Sequence, residues 1–378
     1  MKNVGIIGSG TMGIGIAQVA ATNRCRVFLY DANSEQTEKS LQNLENTLQK
    51  LVQKEKISFE EAETIFNRIT FCTELKELKD SELVIEAIIE NKEIKTKVFS
   101  ELEQYVSEKC IIGSNTSSIS ITSLSSELKN PGRFLGIHFF NPAPLMPLVE
   151  IIPGLLTEKS LPKNLVELMK SWKKSPVIAK DIPGFIVNRI ARPFYGEALR
   201  IAEENLAAPE QIDDAMRTLG NFRMGPFELM DLIGIDVNFA VTTTVYKDYF
   251  YDPKYKPSLL QQRMSEAKLW GRKTGKGFYD YSESAVKSIP TKDEKLYQQI
   301  FMRIISMLIN EAVEAKRLKI ASDEDIEMAM QKGVNYPKGL LSWGKEIGFA
   351  KISETLQNLY EEYQEERYRQ SLLLKNMN

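Results

Sequence analysis

One glycine-rich motif and one histidine are the features of this sequence whose residue types and spacing point to chemistry. Residues Gly8–Gly13 (GSGTMG) match the pattern GxGxxG, which binds the pyrophosphate of a dinucleotide when it follows a strand and opens a helix. His138 is the only histidine in 378 residues, so imidazole-based proton transfer near neutral pH must use it. A lone histidine is also often a structural residue, and that alternative stays open on residue type alone.

A strand, a turn and a helix must position the glycine motif. The apolar run Val4–Gly8 predicts a short strand, and the small residues of Gly13–Asn23 predict a helix that offers its first N–H groups to an anion. The run Arg26–Asp31 predicts a second strand, which completes a βαβ unit. This context favours a nucleotide site over a glycine-rich turn without a ligand.

The choice of nucleotide is expected to rest on Asp31. Its carboxylate, at the end of the second strand, would accept hydrogen bonds from a ribose hydroxyl and repel a 2′-phosphate. Ala32 follows it, where an NADP site would favour arginine. The sequence therefore predicts NAD as the cofactor. The residues predicted to contact it through this unit are Gly8, Gly10, Thr11, Met12, Gly13 and Asp31.

The first half of the chain alternates strands and helices, which is typical of an α/β fold. Two polar helical segments within Ser34–Arg68 interrupt this alternation and predict a helical arm inserted into a doubly wound Rossmann-type sheet domain, residues 1–182. Helices are also expected at Lys92–Val106 and Glu158–Lys173. The later strands are predicted at Ile69–Phe71, Leu83–Ile88, Cys110–Gly113, Phe134–Phe139, Leu148–Ile152 and Val177–Ala179.

After Asp181–Gly184 (DIPG) the strand signals stop, and an all-α region is predicted. Its residues recur at a shift of 114 without a gap, which indicates two copies of one helical unit, residues 183–281 and 292–378. The matching pairs include Arg189 and Arg303, Glu197 and Glu311, Ile212 and Ile326, Gly225 and Gly339, and Gly234 and Gly348.

Composition excludes several classes of function. With 49 basic and 51 acidic residues, the chain has no basic field for nucleic acid. Its three cysteines are widely spaced and contain no CxxC, so neither a disulfide framework nor a metal site is predicted. No run is apolar enough for a membrane span, and no targeting segment is evident, so a cytoplasmic protein is expected.

Four ordered motifs of this chain resemble those of the 3-hydroxyacyl-CoA dehydrogenase family, and in particular its 3-hydroxybutyryl-CoA dehydrogenases. They are Ser114–Ser118 (SNTSS), Gly136–Pro142 (GIHFFNP), Leu148–Glu150 (LVE) and Pro183–Arg189 (PGFIVNR). The likeness covers about residues 2–281, and it implies an NAD-dependent interconversion of (3S)-3-hydroxyacyl-CoA and 3-oxoacyl-CoA.

The resemblance also implies roles for individual residues. His138 would be the acid/base, Glu150 the carboxylate that orients it, and Ser117 and Asn188 hydrogen-bond partners of the substrate and the imidazole. An alcohol oxidation needs such a base, because a proton leaves the hydroxyl as hydride leaves the same carbon. Further contacts to the nicotinamide and ribose would come from Glu90, Lys95, Asn115, Ser117 and Asn141.

Two alternatives stay open for the substrate and two for the assembly. The arm resembles the family's CoA-binding hairpin, so Lys50 and Lys54 are candidates to contact the acyl-CoA, although a charge run on a helix is usually a solvated face. A free hydroxy acid or polyol, as in gulonate dehydrogenases, is the second substrate class.

The second helical copy has Met302 in place of Asn188 and is expected to be structural. A homodimer is possible, or this copy replaces the family's dimer contact within one chain.

Overall fold

The computed structural model describes residues 1–286 and 289–377, which divide into two compact units, Met1–Ile182 and Pro183–Asn378. The first unit is built on one sheet of eight strands. Their order across the sheet is β3-β2-β1-β4-β5-β6-β7-β8, and every neighbouring pair is parallel except the antiparallel β6 and β7. The strands are β1 (Asn3–Ile7), β2 (Arg26–Tyr30), β3 (Ile69–Cys72), β4 (Leu83–Glu86), β5 (Ile111–Ser114), β6 (Phe134–Phe139), β7 (Leu148–Pro153) and β8 (Ser175–Ile178).

This order confirms the predicted doubly wound sheet. Strands β2 and β3 are added on one side of β1 and the later ones on the other side, beginning with β4. Such a switch point leaves a crevice at the carboxyl ends of the strands, where ligands bind. Six helices accompany the sheet: α1 (Thr11–Thr22), α2 (Ser34–Gln53), α3 (Phe59–Asn67), α4 (Lys92–Leu102), α5 (Ile121–Ser125) and α6 (Leu161–Ser171).

Most predicted elements differ from the observed ones only at their ends, and two differences have a clear cause. The strand predicted to reach Ile88 ends at Glu86, because the Glu86 carboxylate accepts a hydrogen bond from the Ile88 N–H and turns the chain. The helix predicted to reach Val106 ends at Leu102. After it the backbone tightens into turns, because the N–H groups of Gln104 and Tyr105 donate to carbonyls three residues earlier.

Helices α2 and α3 form the inserted arm, and one face of each joins the core. Leu44, Leu48, Ala62 and Ile65 are buried with residues of α1 and the sheet. The Ser40 hydroxyl donates to the Ser9 carbonyl in the glycine-rich turn at 2.5 Å. The base of the arm is therefore fixed to the nucleotide-binding turn, while Lys50 and Lys54 at the far end of α2 are exposed.

The second unit is helical in its described residues, apart from isolated bridges within Gly271–Asp280. Helices of its second half begin 114 residues after their counterparts, at 209 and 323, 226 and 340, and 235 and 349. The repeat predicted from the sequence is thus present in the fold. The helices are α7 (Val187–Ile190), α8 (Arg192–Glu203), α9 (Pro209–Gly220), α10 (Pro226–Ile233), α11 (Ile235–Asp248), α12 (Leu259–Glu266), α13 (Glu294–Arg317), α14 (Asp323–Gly333), α15 (Leu340–Ile347) and α16 (Phe349–Tyr363).

Candidate active site

The glycine-rich turn has the shape that a dinucleotide requires. Gly8 has a φ of +99°, and a β-carbon there would lie 2.6 Å from the Ala87 carbonyl oxygen. A β-carbon on Gly13 would lie 1.8 Å from the Gly8 carbonyl oxygen, so only glycine lets α1 pack against the turn. No side chain caps α1 at Gly10, and the surroundings of Gly10 are open. The first N–H groups of α1 are therefore available to an anion.

Asp31 follows β2 and is held beside the glycine-rich turn. Its carboxylate accepts hydrogen bonds from the Ser9 N–H at 2.7 Å, the Ser9 hydroxyl at 2.9 Å and the Asn33 N–H at 2.9 Å. These bonds fix the carboxylate at the end of the strand and use only part of its acceptor capacity. The turn and Asp31 together fit a dinucleotide with an unmodified ribose.

His138 and Glu150 form a buried pair. They stand directly opposite each other in the antiparallel β6 and β7, which brings the imidazole Nδ1 to 2.7 Å from the Glu150 Oε2. Glu150 is fully buried and His138 is 6% exposed. With Nδ1–H directed at the carboxylate, the neutral ring carries its lone pair on Nε2, which is then the atom able to take up a proton.

The polar loop after β5 lies against the end of β6. Asn115 accepts a hydrogen bond from the Phe139 N–H at 2.8 Å and so ties the two strand ends together. The half-buried Ser117 donates its N–H to Glu90, whereas its hydroxyl has no hydrogen-bond partner among the described residues. That hydroxyl is available to a ligand. Asn141, three residues after His138, is exposed.

A buried ion-pair network underlies this loop. The Lys95 ammonium is 2.6 Å from Glu86 and 3.3 Å from Glu90, and Lys95 is almost fully buried. Glu90 also accepts hydrogen bonds from the hydroxyls of Thr116 and Ser118. Burial opposes ionisation of Glu90, but Lys95 and the two hydroxyls outweigh it and lower its pKa. Lys95 therefore positions Glu90, and through it the loop that carries Ser117.

Sequence reasoning missed Glu86, which holds Lys95 from the end of β4. Its signal was an acidic residue that closes an otherwise apolar strand nine residues before a lysine. It also missed Asp181, whose carboxylate accepts hydrogen bonds from the N–H groups of Ile121 and Thr122 and so fixes the start of α5.

Asn188 belongs to the helical unit, on the short helix α7, and is half-buried. Its carbonyl accepts a hydrogen bond from Arg192 Nε at 2.8 Å.

No described group of three or more His, Cys, Asp or Glu side chains is arranged to hold a metal ion. None of the described helices is long and apolar enough to cross a membrane.

A doubly wound sheet with an open glycine-rich turn and a buried histidine–glutamate pair defines a nucleotide-dependent oxidoreductase. Comparison with known proteins gives the family. Residues 3–182 match the model described as 3-hydroxyacyl-CoA dehydrogenase, NAD binding domain, and residues 184–281 and 300–378 both match the model of its C-terminal domain. The chain belongs to the 3-hydroxyacyl-CoA dehydrogenase family. It is an NAD-dependent oxidoreductase that acts on a CH–OH group, as predicted.

Individual relatives cover the chain to different extents. The chain is 37% identical to a 3-hydroxyadipyl-CoA dehydrogenase of Escherichia coli, over 99% of this chain and 97% of the relative. It is 42% identical to a 3-hydroxybutyryl-CoA dehydrogenase of Clostridioides difficile, over 74% of this chain and 99% of the relative. A crystal structure described as 3-hydroxybutyryl-CoA dehydrogenase from E. coli superimposes with a TM-score of 0.94 at 36% identity, covering 99% of this chain and 98% of that one.

Proposed function

We propose that the protein interconverts (3S)-3-hydroxyacyl-CoA and 3-oxoacyl-CoA, with His138 as the acid/base. The observation that carries this proposal is the buried contact of 2.7 Å between His138 Nδ1 and Glu150 Oε2. In the oxidative direction, His138 Nε2 removes the proton from the C3 hydroxyl while the C3–H bond breaks. Bound NAD supplies the acceptor for the hydride. In the reductive direction, the imidazolium returns the proton to the same oxygen.

Glu150 has two effects on the imidazole in this proposal. Its carboxylate accepts the Nδ1 proton, which fixes the tautomer that leaves Nε2 basic. It also places a negative charge beside the imidazolium that forms when His138 takes up the substrate proton. The charge is effective because Glu150 is fully buried and therefore weakly screened by water.

The oxygen of the substrate becomes more negative as its proton leaves, so neutral donors near it stabilise the transition state. The Ser117 hydroxyl and the Asn188 amide are the donors that the family likeness assigns to this role. Ser117 suits it because its hydroxyl makes no hydrogen bond to another described residue, while its N–H is held by Glu90. Exposed Lys50 and Lys54 are proposed contacts of the CoA phosphates.

Substitution of His138 tests the acid/base role. His138→Gln removes the proton acceptor, so we expect kcat for acetoacetyl-CoA reduction to fall by at least about 10²-fold. The rate is followed by NADH absorbance at saturating cofactor, and NADH binding is measured separately by fluorescence titration. Binding within about twofold of wild type is expected, because the residues of the glycine-rich turn are untouched.

The substrates in this assay test the rest of the proposal. Free acetoacetate and a keto-sugar acid are assayed beside acetoacetyl-CoA with the wild-type enzyme. Reduction of the thioester alone supports the proposed reaction. Wild-type turnover by His138→Gln would refute the acid/base role of His138. Reduction of the free acids alone would show that the substrate is a free hydroxy acid or polyol rather than a thioester. The named relatives differ in their acyl groups, since one acts on a hydroxyadipyl and the other on a hydroxybutyryl thioester.

A further inference from the structure

Lys174 lies between α6 and β8, and its side chain contacts the loop that joins β6 to β7. Its Nζ donates hydrogen bonds to the carbonyls of Ala143 at 2.5 Å and Met146 at 2.8 Å. The next N–H along the chain, that of Ser175, donates to the carbonyl of Pro147 at 2.7 Å. The loop is therefore held at its middle by the ammonium and at its end by the backbone.

The ammonium of Lys174 holds this loop without a carboxylate partner. Within residues 1–286 and 289–377 no carboxylate forms an ion pair with it, whereas the buried Lys95 is 2.6 Å from Glu86. Lys174 is half-buried, and burial lowers its pKa to about 8. The cost of removing this cation from water is offset by its bonds to the two carbonyls, which are stronger than bonds between neutral groups.

The elements next to Lys174 and its loop contain few other titratable groups. The loop Phe140–Pro147, strand β8 and helix α1 contain none. Strands β6 and β7 contribute only His138 and Glu150, which are paired with each other. The charged side chains of α6 and the residues after it are exposed: Lys163, Glu167, Lys170 and Lys173. Burial, rather than a neighbouring charge, therefore sets the protonation of Lys174.

The loop held by Lys174 packs against the first turns of the nucleotide-binding helix α1. A β-carbon on Gly15 would lie 3.3 Å from the Ala143 β-carbon and 3.2 Å from the Pro144 Cδ. Gly15 is four residues after the first residue of α1, whose N–H groups face the anion site. The same loop carries Asn141, the exposed residue for which the family likeness implies a contact to the cofactor.

The histidine–glutamate pair does not depend on this loop for its geometry. Five residue pairs join β6 to β7, and His138 and Glu150 form the fourth of them. Movement of the loop would displace Asn141 and the contact with α1, while the ladder keeps the two side chains opposite each other. The loop is therefore expected to affect cofactor binding more than proton transfer.

We propose that Lys174 is a positioning residue for the cofactor: its ammonium holds the loop Phe140–Pro147 against α1 and so keeps Asn141 in place to contact NAD. The inference rests on the implied role of Asn141 and goes beyond the proposed function, since it concerns cofactor binding whichever substrate is reduced. Loss of the ammonium lowers the fraction of protein in which the loop is in place. The apparent Kd for NADH rises in proportion.

Substitution of Lys174 tests the inference, with cofactor binding and turnover measured separately. Lys174→Met removes the charge and the donor but keeps an unbranched side chain. We expect the Kd for NADH, from fluorescence titration at pH 7, to rise by at least about 10-fold, as for lost hydrogen bonds to a charged group. At saturating NADH, kcat for acetoacetyl-CoA reduction should stay within about threefold of wild type, because the catalytic pair lies inside the ladder.

Two further variants separate positioning from a general loss of stability. Lys174→Arg keeps the positive charge and should bind NADH within about threefold of wild type. Lys173→Met is the matched control, because it removes the same charge from the adjacent, exposed residue, and it should leave the Kd unchanged. An unchanged Kd in Lys174→Met, or an equal rise in Lys173→Met, would overturn the inference. So would a fall in kcat without a change in Kd.

The pH dependence of NADH binding gives a second test, which remains available if Lys174→Met does not fold. Because the pKa of Lys174 is about 8, its ammonium is charged at about pH 7 and largely neutral at about pH 9.5. We expect the wild-type Kd for NADH to rise by about 3- to 10-fold over this range, since a neutral amine makes weaker hydrogen bonds. The Kd of Lys174→Arg should stay constant, because a guanidinium remains charged.

A constant wild-type Kd, or an equal rise in wild type and Lys174→Arg, would refute the positioning role. Failure here is distinct from failure of the proposed function. His138-dependent turnover of acetoacetyl-CoA, with NADH binding indifferent to Lys174, would remove only the role of the lysine.

Discussion

The two helical copies are joined by buried ion pairs that obey the 114-residue shift. Arg189 of the first copy pairs with Glu311 of the second at 2.6 Å, and Arg303 of the second pairs with Glu197 of the first at 2.5 Å. Each contact is the counterpart of the other, as in an interface between two identical subunits. The two copies therefore contact each other through equivalent residues within one chain.

The residues near Asn188 do not follow this symmetry. Asn188 corresponds to Met302, so the second copy keeps the residues that join the copies and lacks the asparagine proposed to contact substrate. The comparison indicates that the residues that join the two copies and the residue proposed to contact substrate are constrained separately. Substitutions at paired positions should therefore affect stability in both copies but activity in only one.

The largest expected effect is on stability, at the ion pair with fewer partners. Glu311→Gln leaves Arg189 buried with no carboxylate, and we expect a loss of about 3–5 kcal/mol in the free energy of unfolding. Glu197→Gln should cost less, about 1–3 kcal/mol, because Glu204 still holds both terminal nitrogens of Arg303 at 2.7 and 2.9 Å. Urea denaturation followed by circular dichroism measures both.

One control and one further readout accompany this prediction. Glu346→Gln breaks an exposed pair with Lys338 and should cost at most about 1 kcal/mol. Acid unfolding gives a second readout: burial opposes ionisation of Glu311, but Arg189 and Lys254 lower its pKa to about 2. The pair therefore stabilises the fold above pH 4.5, and this contribution is lost as the pH falls toward 2. Equal losses in Glu311→Gln and Glu197→Gln would contradict the assigned difference.

The next largest expected effect is on activity, at the position where the first copy has asparagine and the second copy has methionine. Asn188→Met installs the residue of the second copy, and we expect kcat to fall by about 10²–10³-fold, as when a donor to a developing oxyanion is removed. Met302→Asn makes the reverse change and should leave kcat at the wild-type value. Steady-state reduction of acetoacetyl-CoA measures both, and similar rates in the two variants would refute a catalytic difference between the copies.

Local patterns in the sequence were enough to predict the sheet, the repeat and the nucleotide turn. GxGxxG specifies its own turn, since Gly8 and Gly13 are each required by a backbone contact. The repeat was visible because an unbroken shift of 114 needs no three-dimensional information. The domain limits and the individual site roles remain predictions.

Contacts between distant elements could not be predicted in the same way. Lys95 was expected to line the cofactor, but its buried pairing with Glu86 depends on how α4 packs beside the end of β4. Arg192, next to a proline at the start of a helix, has the sequence of an ordinary exposed helix terminus. Its burial beside Tyr195 and Tyr336 depends on elements more than one hundred residues apart in the chain.

The smallest expected effect concerns the helix starts. The Asp213 carboxylate accepts from the N–H groups of Phe227 and Glu228, and at the 114-residue shift Glu327 accepts from those of Leu341 and Ser342. We expect Glu327→Gln to cost about 1 kcal/mol in the free energy of unfolding, which is typical for a lost cap.

Asp213→Asn should cost about 1 kcal/mol more than Glu327→Gln, because Asp213 also accepts a hydrogen bond from the Tyr279 hydroxyl at 2.7 Å. Burial raises the pKa of Asp213 to about 7, so urea denaturation is measured at about pH 8, where this carboxylate is ionised. In a Tyr279→Phe background, Asp213→Asn and Glu327→Gln should cost the same free energy of unfolding. The hydrogen bond from Tyr279 to Asp213 is then absent both before and after the substitution of Asp213. A difference that survives this substitution would place its cause elsewhere in the first copy.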